Sequence, residues 1–426
     1  MKETIDAGAP VLVASCDSHT SPWPTQLREC CEQRYLDDFD SYYQNCQVEV
    51  EALKETVGTG PGGAYALEHW EGPEHADFDY RIQEMDRDGI ALEAVFHGTL
   101  SGYPLPFHSR FAHNRTQQDL NLEAVGKEIY NRWLAEAVAV APERFIALAQ
   151  VPMWDIGKAH KALAAAADLG LRGINFPSPR PGFIPFYDDP GWEPFWSTCE
   201  ENGIGLFTHT MSAGRDPKLG TLEKPDPVWI VSLEQGGYLG RSALPRLVFG
   251  GVFERHPGLN IVFTEANGDW WSATMSEFDS IYKTFKELNS ALPKKPSEYC
   301  ASNVFIGASF LAPFEAERAV AEGYAPNVCW GRDFPHSEGT WKPYDAVGGE
   351  RMTQLQLRYA FSSIDTEDVR LMAGENFLRA VHIEPNSLES VVKRINAPTY
   401  YDLSNSLDSI PEGGGWLSFR TVGAWG

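Results

Sequence analysis

A chain of 426 residues, 43% hydrophobic and 22% charged, is long enough to bury a large core and too apolar to stay disordered. Its formal net charge of −24 at pH 7 argues against a nucleic-acid partner, because phosphate binding needs a basic surface. The seven cysteines form no CxxC pair, and an odd, irregularly spaced set suits buried thiols in a reducing cytoplasm rather than a disulfide framework. The opening "MKETIDAGAP" has no apolar signal core and no run of roughly 18 apolar residues occurs, so a cytoplasmic protein with no membrane segment is expected.

Short apolar runs separated by helical patterns follow in chain order. The first, Val11–Ser15, leads into "CDSH", where Asp17 and His19 stand two apart and so point to the same side of an extended chain. The glycine-rich stretch from Gly58 to His75 is expected to be a long loop that covers the site. A second run, Ala91–Phe96, ends at His97, and Leu122, Val125, Ile129, Trp133 and Ala137 then mark one apolar face of a helix. Phe145–Val151 and Gly173–Phe176 flank an alanine-rich helix, His160 to Leu169, closed by Gly170. Gly203–Thr208 ends at His209, and Asn260–Thr264 ends at Glu265. Asn303–Ile306 follows, and Asn327–Gly331 leads into Asp333, His336 and Glu338.

Eight strands alternating with helices predict an α/β fold, a (β/α)8 TIM-like barrel, with an open doubly wound sheet as the alternative. No GxGxxG follows a strand and no GxxxxGK[ST] is present, which removes support for a nucleotide-binding version. The barrel is expected over residues 1–385 and a tail over 386–426. Trp416, Phe419 and Trp425 predict that this tail packs on the barrel or on a neighbouring subunit, hence a homo- or hetero-oligomer with related chains.

A barrel of this kind places its chemistry at the C-terminal ends of its strands. One histidine there is ordinarily a packed or hydrogen-bonded residue. Asp17, His19, His209, Glu265, Asp333 and His336, at the ends of several strands, point instead to a divalent metal, since mixed imidazole and carboxylate donors suit zinc, manganese or iron. Asp17, His19, His209 and Asp333 would leave room for a metal-bound water. His97 is expected either to touch substrate or to pack in the core. Arg332 and Glu338 are expected to orient ligands or to form a surface ion pair, and Trp270 and Trp271 to pack the barrel rim.

"CDSHTSPW", "GLFTHT", "VFTEANGDWW", "CWGRDFPHSEGTW" and "MAGENFLRAVHI", with "YNRWLAEAVAVAPERFIALAQVPMWD" and "ADLGLRGINFP" between them, resemble the amidohydrolase-related (amidohydrolase 2) family over about residues 11 to 384. That resemblance implies a (β/α)8 barrel with one or two divalent metals. It sets Asp17 and His19 as the first-strand ligand pair, His209 as the fifth-strand histidine and Asp333 as the eighth-strand aspartate. Two positions depart from it: Glu265 stands where decarboxylases of the family usually carry histidine, and Arg332 stands for the usual serine.

The expected function is metal-dependent hydrolysis or decarboxylation of a small carboxylate or amide, with zinc as a single ion, Asp333 as the base and Glu265 and His97 as further catalytic candidates. The alternative is a dinuclear iron or manganese monooxygenase in which Glu265 and His336 complete a second site, as in relatives such as 2-aminoisobutyrate hydroxylase, or a supporting subunit of such an assembly.

Overall fold

In the computed structural model, which describes residues 5–60, 62–99, 103–108, 116–179, 182–210, 239–266, 268–342, 349–412, 415 and 417–423, the apolar runs form one parallel sheet. Its strands are β1 (Val13–Ser15), β2 (His19–Thr20), β3 (Ile90–His97), β4 (Phe145–Ala149), β5 (Gly173–Asn175), β6 (Gly205–His209), β7 (Ile261–Thr264), β8 (Val304–Ser309) and β9 (Val328–Gly331). They pair in the order β1-β3-β4-β5-β6-β7-β8-β9, and β2 pairs with β3 beyond β1. β1 and β2 are two halves of one interrupted strand, and Ser15 Oγ donates to the Asp17 carbonyl at 2.6 Å across the break. The ring closes where Cys16 N–H donates to the Trp330 carbonyl (2.9 Å) and Asp333 N–H donates to the Asp17 carbonyl (3.1 Å).

Side chains alternate along each strand, and here both faces are buried. Ala94, Phe96, Ile146, Leu148, Phe207, Val262, Phe305 and Cys329 fill the barrel interior. Val95, Ala147, Leu206, Ile261 and Ile306 face the surrounding helices. Gly173 admits this packing, since a Cβ there would lie 2.2 Å from Leu148 Cδ2 and 3.2 Å from Phe207 Cε2. The helix Gln117–Val138 starts at Thr116, whose side chain accepts from Asp119 N–H, and Ile156–Asp168 starts at Asp155 in the same way.

The stretch expected to be a long loop is partly helical. It follows the helix Leu36–Gly58 and contains the helix Gly63–Glu68 and a turn at Pro73–His75. The run "GAYALE" is rich in good helix formers, and these outweigh the neighbouring glycines. Gly62 takes a left-handed φ of 71°, and a Cβ on it would approach Ser337 Oγ to 2.8 Å, so the insertion packs against the loop after β9. Near the other end of the chain, Leu417, Ser418 and Arg420 are buried against this chain's own barrel. Ser418 Oγ donates to the Gly339 carbonyl (2.6 Å), Arg420 pairs with Glu315, and the Phe419 ring lies 5.4 Å from that of Tyr359. Trp416 and Trp425 lie outside the described residues.

Beside β1, β3 and β9 lies a buried network of arginines and carboxylates. Arg332 donates to Glu93 (2.5 Å) and Asp88 (2.6 Å), Arg351 to Asp88 (2.7 Å) and Glu84, and Arg81 to Glu93 (3.2 Å). Arg332 is thus no surface pair, being 0% exposed. Arg81 also donates to Ser18 Oγ (3.0 Å) and to the His19 carbonyl, so the network fixes the backbone between β1 and β2. Removing one member of such a set leaves uncompensated buried charge. Arg332→Met should lower stability to urea by about 3–5 kcal/mol, while Arg28→Met, which breaks an exposed pair with Asp40, should change it far less. Equal effects of the two substitutions would contradict this account of the network.

Candidate metal centre

The interruption between β1 and β2 turns Asp17 and His19 toward the same point, as their spacing predicts. His19 Nε2 lies 3.2 Å from Asp17 Oδ1 and 3.1 Å from Asp333 Oδ1. His209, the last residue of β6, brings its Nε2 to 3.5 Å from Asp17 Oδ1. His336 Nδ1 stands 3.0 Å from Asp333 Oδ1, and its ring stacks on that of His19 with centroids 4.1 Å apart. Glu265 Oε2 lies 3.8 Å from His209 Nδ1. Six residues expected to be ligands therefore meet at one end of the barrel, in three overlapping sets whose donor atoms lie within 4.8 Å of one another: Asp17, His19 and His209; His19, Asp333 and His336; and Asp17, Glu265 and Asp333.

Surrounding groups fix these side chains. Ser309 Oγ donates to Asp17 Oδ2 at 2.5 Å, which leaves Oδ1 facing the centre. His209 Nδ1 lies 2.7 Å from the Thr210 carbonyl, so the proton sits on Nδ1 and the Nε2 lone pair turns inward. His336 is held the opposite way round, with Nε2 3.2 Å from the Gly98 carbonyl and Nδ1 facing Asp333. Asp333 (φ 55°) and Glu265 (φ 52°) both adopt the left-handed backbone region, which L-residues occupy at a cost of order 1–3 kcal/mol and which gathers at functional sites.

The donors fit a cation. Asp17 Oδ1, His19 Nε2, both carboxylate oxygens of Asp333 and His336 Nδ1 are buried without a hydrogen bond of acceptable geometry. Burying such groups is costly unless something else satisfies them. Electrostatics point the same way. Burial opposes ionisation of Asp17, yet His209 and His19 hold its carboxyl well below the usual range. Burial likewise opposes charge on His209 and His336, but Glu265 and Asp17 raise the first to about 9, and Asp333 and Glu338 raise the second to about 10. With no other positive charge between the carboxylates, the imidazoles take up protons.

His97 does not join this cluster. It continues the outward-facing alternation of β3 after Val95, and its ring lies 5.1 Å from Tyr130 on the helix Gln117–Val138. Its neighbour Phe96 faces inward and contacts His19 and His209, with centroids 5.6 and 4.9 Å away. Glu338 stays beside the site, 3.7 Å from His336 Nδ1. Trp270 and Trp271 pack the rim against Phe263 and Tyr324. Ser309 was missed in the sequence, although the signal is there: it is the polar residue that ends the apolar run "VFIGA".

The family model described as "Amidohydrolase" matches residues 16–382. The 2-amino-3-carboxymuconate-6-semialdehyde decarboxylase of Dictyostelium discoideum is 26% identical over 313 residues, covering 73% of this chain and 78% of that protein. The gamma-resorcylate decarboxylase of Rhizobium sp. (strain MTP-10005) is 27% identical over 223 residues, half of this chain (50%) and 62% of that protein. The crystal structure of 5-carboxyvanillate decarboxylase from Novosphingobium aromaticivorans, complexed with manganese and 4-hydroxy-3-methoxy-5-nitrobenzoic acid, shares the fold with a TM-score of 0.58 at 16% identity, over 89% of this chain and 100% of that one. These relatives do not favour the oxygenase alternative. Matched along most of its length, the chain belongs to the amidohydrolase family.

Proposed function

We propose that this protein is a decarboxylase of a small carboxylate that uses one divalent metal ion, with Asp17, His19, His209 and Asp333 as its ligands. The observation that carries this reading is the meeting of Asp17 Oδ1, His19 Nε2 and Asp333 Oδ1, buried and without hydrogen bonds, beside His209 Nε2. Two relatives that are themselves decarboxylases support the reaction. Manganese is preferred to zinc, because the donor set is rich in carboxylate oxygen and a protein of the same fold holds manganese.

The ion would supply a Lewis acid that holds and polarises the substrate's oxygens. The chain's own residues must then manage one proton. When the bond between the carboxyl group and its carbon breaks, the electron pair stays on that carbon, which takes a proton as carbon dioxide leaves. Asp333 is the donor at hand, since its Oδ2 makes no hydrogen bond within the protein. His336 Nδ1, 3.0 Å from Asp333 Oδ1, is placed to restore that proton, and the Gly98 carbonyl keeps its ring in register. Glu265, 3.8 Å from His209 Nδ1, is in this scheme a carboxylate that faces a ligand's imidazole rather than a ligand of a second ion. His97 takes no part.

Metal-stripped protein should release no carbon dioxide from a panel of small aromatic carboxylates, and manganese should restore release from at least one of them; failure of every member with metal bound would overturn the reading. Asp333→Asn should lower kcat by at least about 100-fold. Ser309→Ala, which frees Asp17 to turn, should weaken manganese binding about tenfold in competition with a chelator. Glu265→Gln should keep one manganese per chain by elemental analysis, whereas a fall from two to one would restore the dinuclear alternative.

A further inference from the structure

We infer that Gln150 and Asn175 form a reader for a neutral hydroxyl group on the substrate. Gln150 directly follows β4, and Asn175 ends β5, so both stand at the C-terminal edge that carries the metal centre. They face into the barrel. Gln150 continues the inward series Ile146 and Leu148. Asn175 lies two residues beyond Gly173, whose position faces the Leu148 and Phe207 side chains. The side chains meet there, with Asn175 Nδ2 3.4 Å from Gln150 Oε1. Asn175 pairs with Phe207 on β6, two residues before His209. Strand spacing and rise put Asn175 about 8 Å from His209 along the sheet, within reach of one small ring compound.

The pair has unspent hydrogen-bonding capacity. Gln150 is 4% exposed, yet its Nε2 makes no hydrogen bond, and neither does Asn175 Oδ1. An amide–amide contact uses one donor and one acceptor, so an NH2 and a carbonyl remain whichever way the two amides are turned. Asn131 anchors the backbone beneath, accepting from Gln150 N–H (2.8 Å) and donating to the Gln150 carbonyl (2.9 Å), so the spare amide is held in place. A carboxylate only accepts and would face the spare carbonyl with repulsion. An ammonium only donates and would leave the NH2 unmatched. A hydroxyl donates and accepts, and is the smallest group that satisfies both.

This inference rests on the proposed carboxylate site for its pocket, so its test is equilibrium binding rather than turnover. Benzoate and 2-, 3- and 4-hydroxybenzoate are titrated calorimetrically into manganese-loaded protein. At least one hydroxybenzoate should bind about tenfold more tightly than benzoate. In Gln150→Met that advantage should shrink to about twofold or less, with metal content and melting temperature unchanged. Asn175→Ala, at a part-exposed position, makes the same prediction should Gln150→Met fold poorly. No hydroxyl preference in the native protein, or a preference that survives in both variants, overturns the inference. A preference lost as expected in a protein that releases no carbon dioxide leaves the inference standing and sinks the decarboxylase reading alone.

Discussion

Two carboxylates from opposite ends of the barrel's strand order lean on one imidazole nitrogen. Asp17 follows β1 and Asp333 follows β9, and each places an oxygen close to 3 Å from His19 Nε2. This meeting depends on closure of the sheet, because the Asp333 N–H bond to the Asp17 carbonyl is part of the seam between first and last strands. It also sets an electrostatic demand. Buried carboxylates this close need positive charge between them, and a divalent ion supplies it more compactly than a proton on His209.

Around that demand the structure is stiff. The network of Arg81, Arg332 and Arg351 with Glu84, Asp88 and Glu93 balances its own charge and holds the Ser18 hydroxyl and the His19 carbonyl from behind. Arg332 also donates its N–H to Ser15 Oγ, the hydroxyl that bridges the break in the first strand. Arg332 is thus part of the frame, one residue from Asp333. Isolated buried pairs add little to stability, yet they can select one geometry among several. Here that geometry is the meeting of Asp17, His19 and Asp333.

The barrel was legible because parallel strands buried on both faces read as unbroken apolar runs, and the candidate ligands were legible because the runs after which they stand give way abruptly to ionisable residues. Parity was harder to read. His97 and His209 both close an apolar run, but His97 falls on the outward face of β3 and His209 on the inward face of β6, and only strand register separates them. Arg332 was ambiguous because its partners, Asp88 and Glu93, lie far away in sequence. The helix Gly63–Glu68 was hidden by flanking glycines. Gln150 and Asn175 carry no distinctive chemical signature; their significance lies in polar atoms that folding buries and leaves unsatisfied.

These features describe a site whose candidate ligands, orienting hydroxyl and carbonyls, and charged frame converge on one small volume at one end of the barrel. The most direct measurement of that claim is anomalous X-ray diffraction at the manganese edge from crystals of the metal-loaded protein. The account predicts one strong peak per chain, in coordination distance of Asp17 Oδ1, His19 Nε2, His209 Nε2 and Asp333. A peak elsewhere in the chain, or a second of equal strength bridged by Glu265, would contradict it.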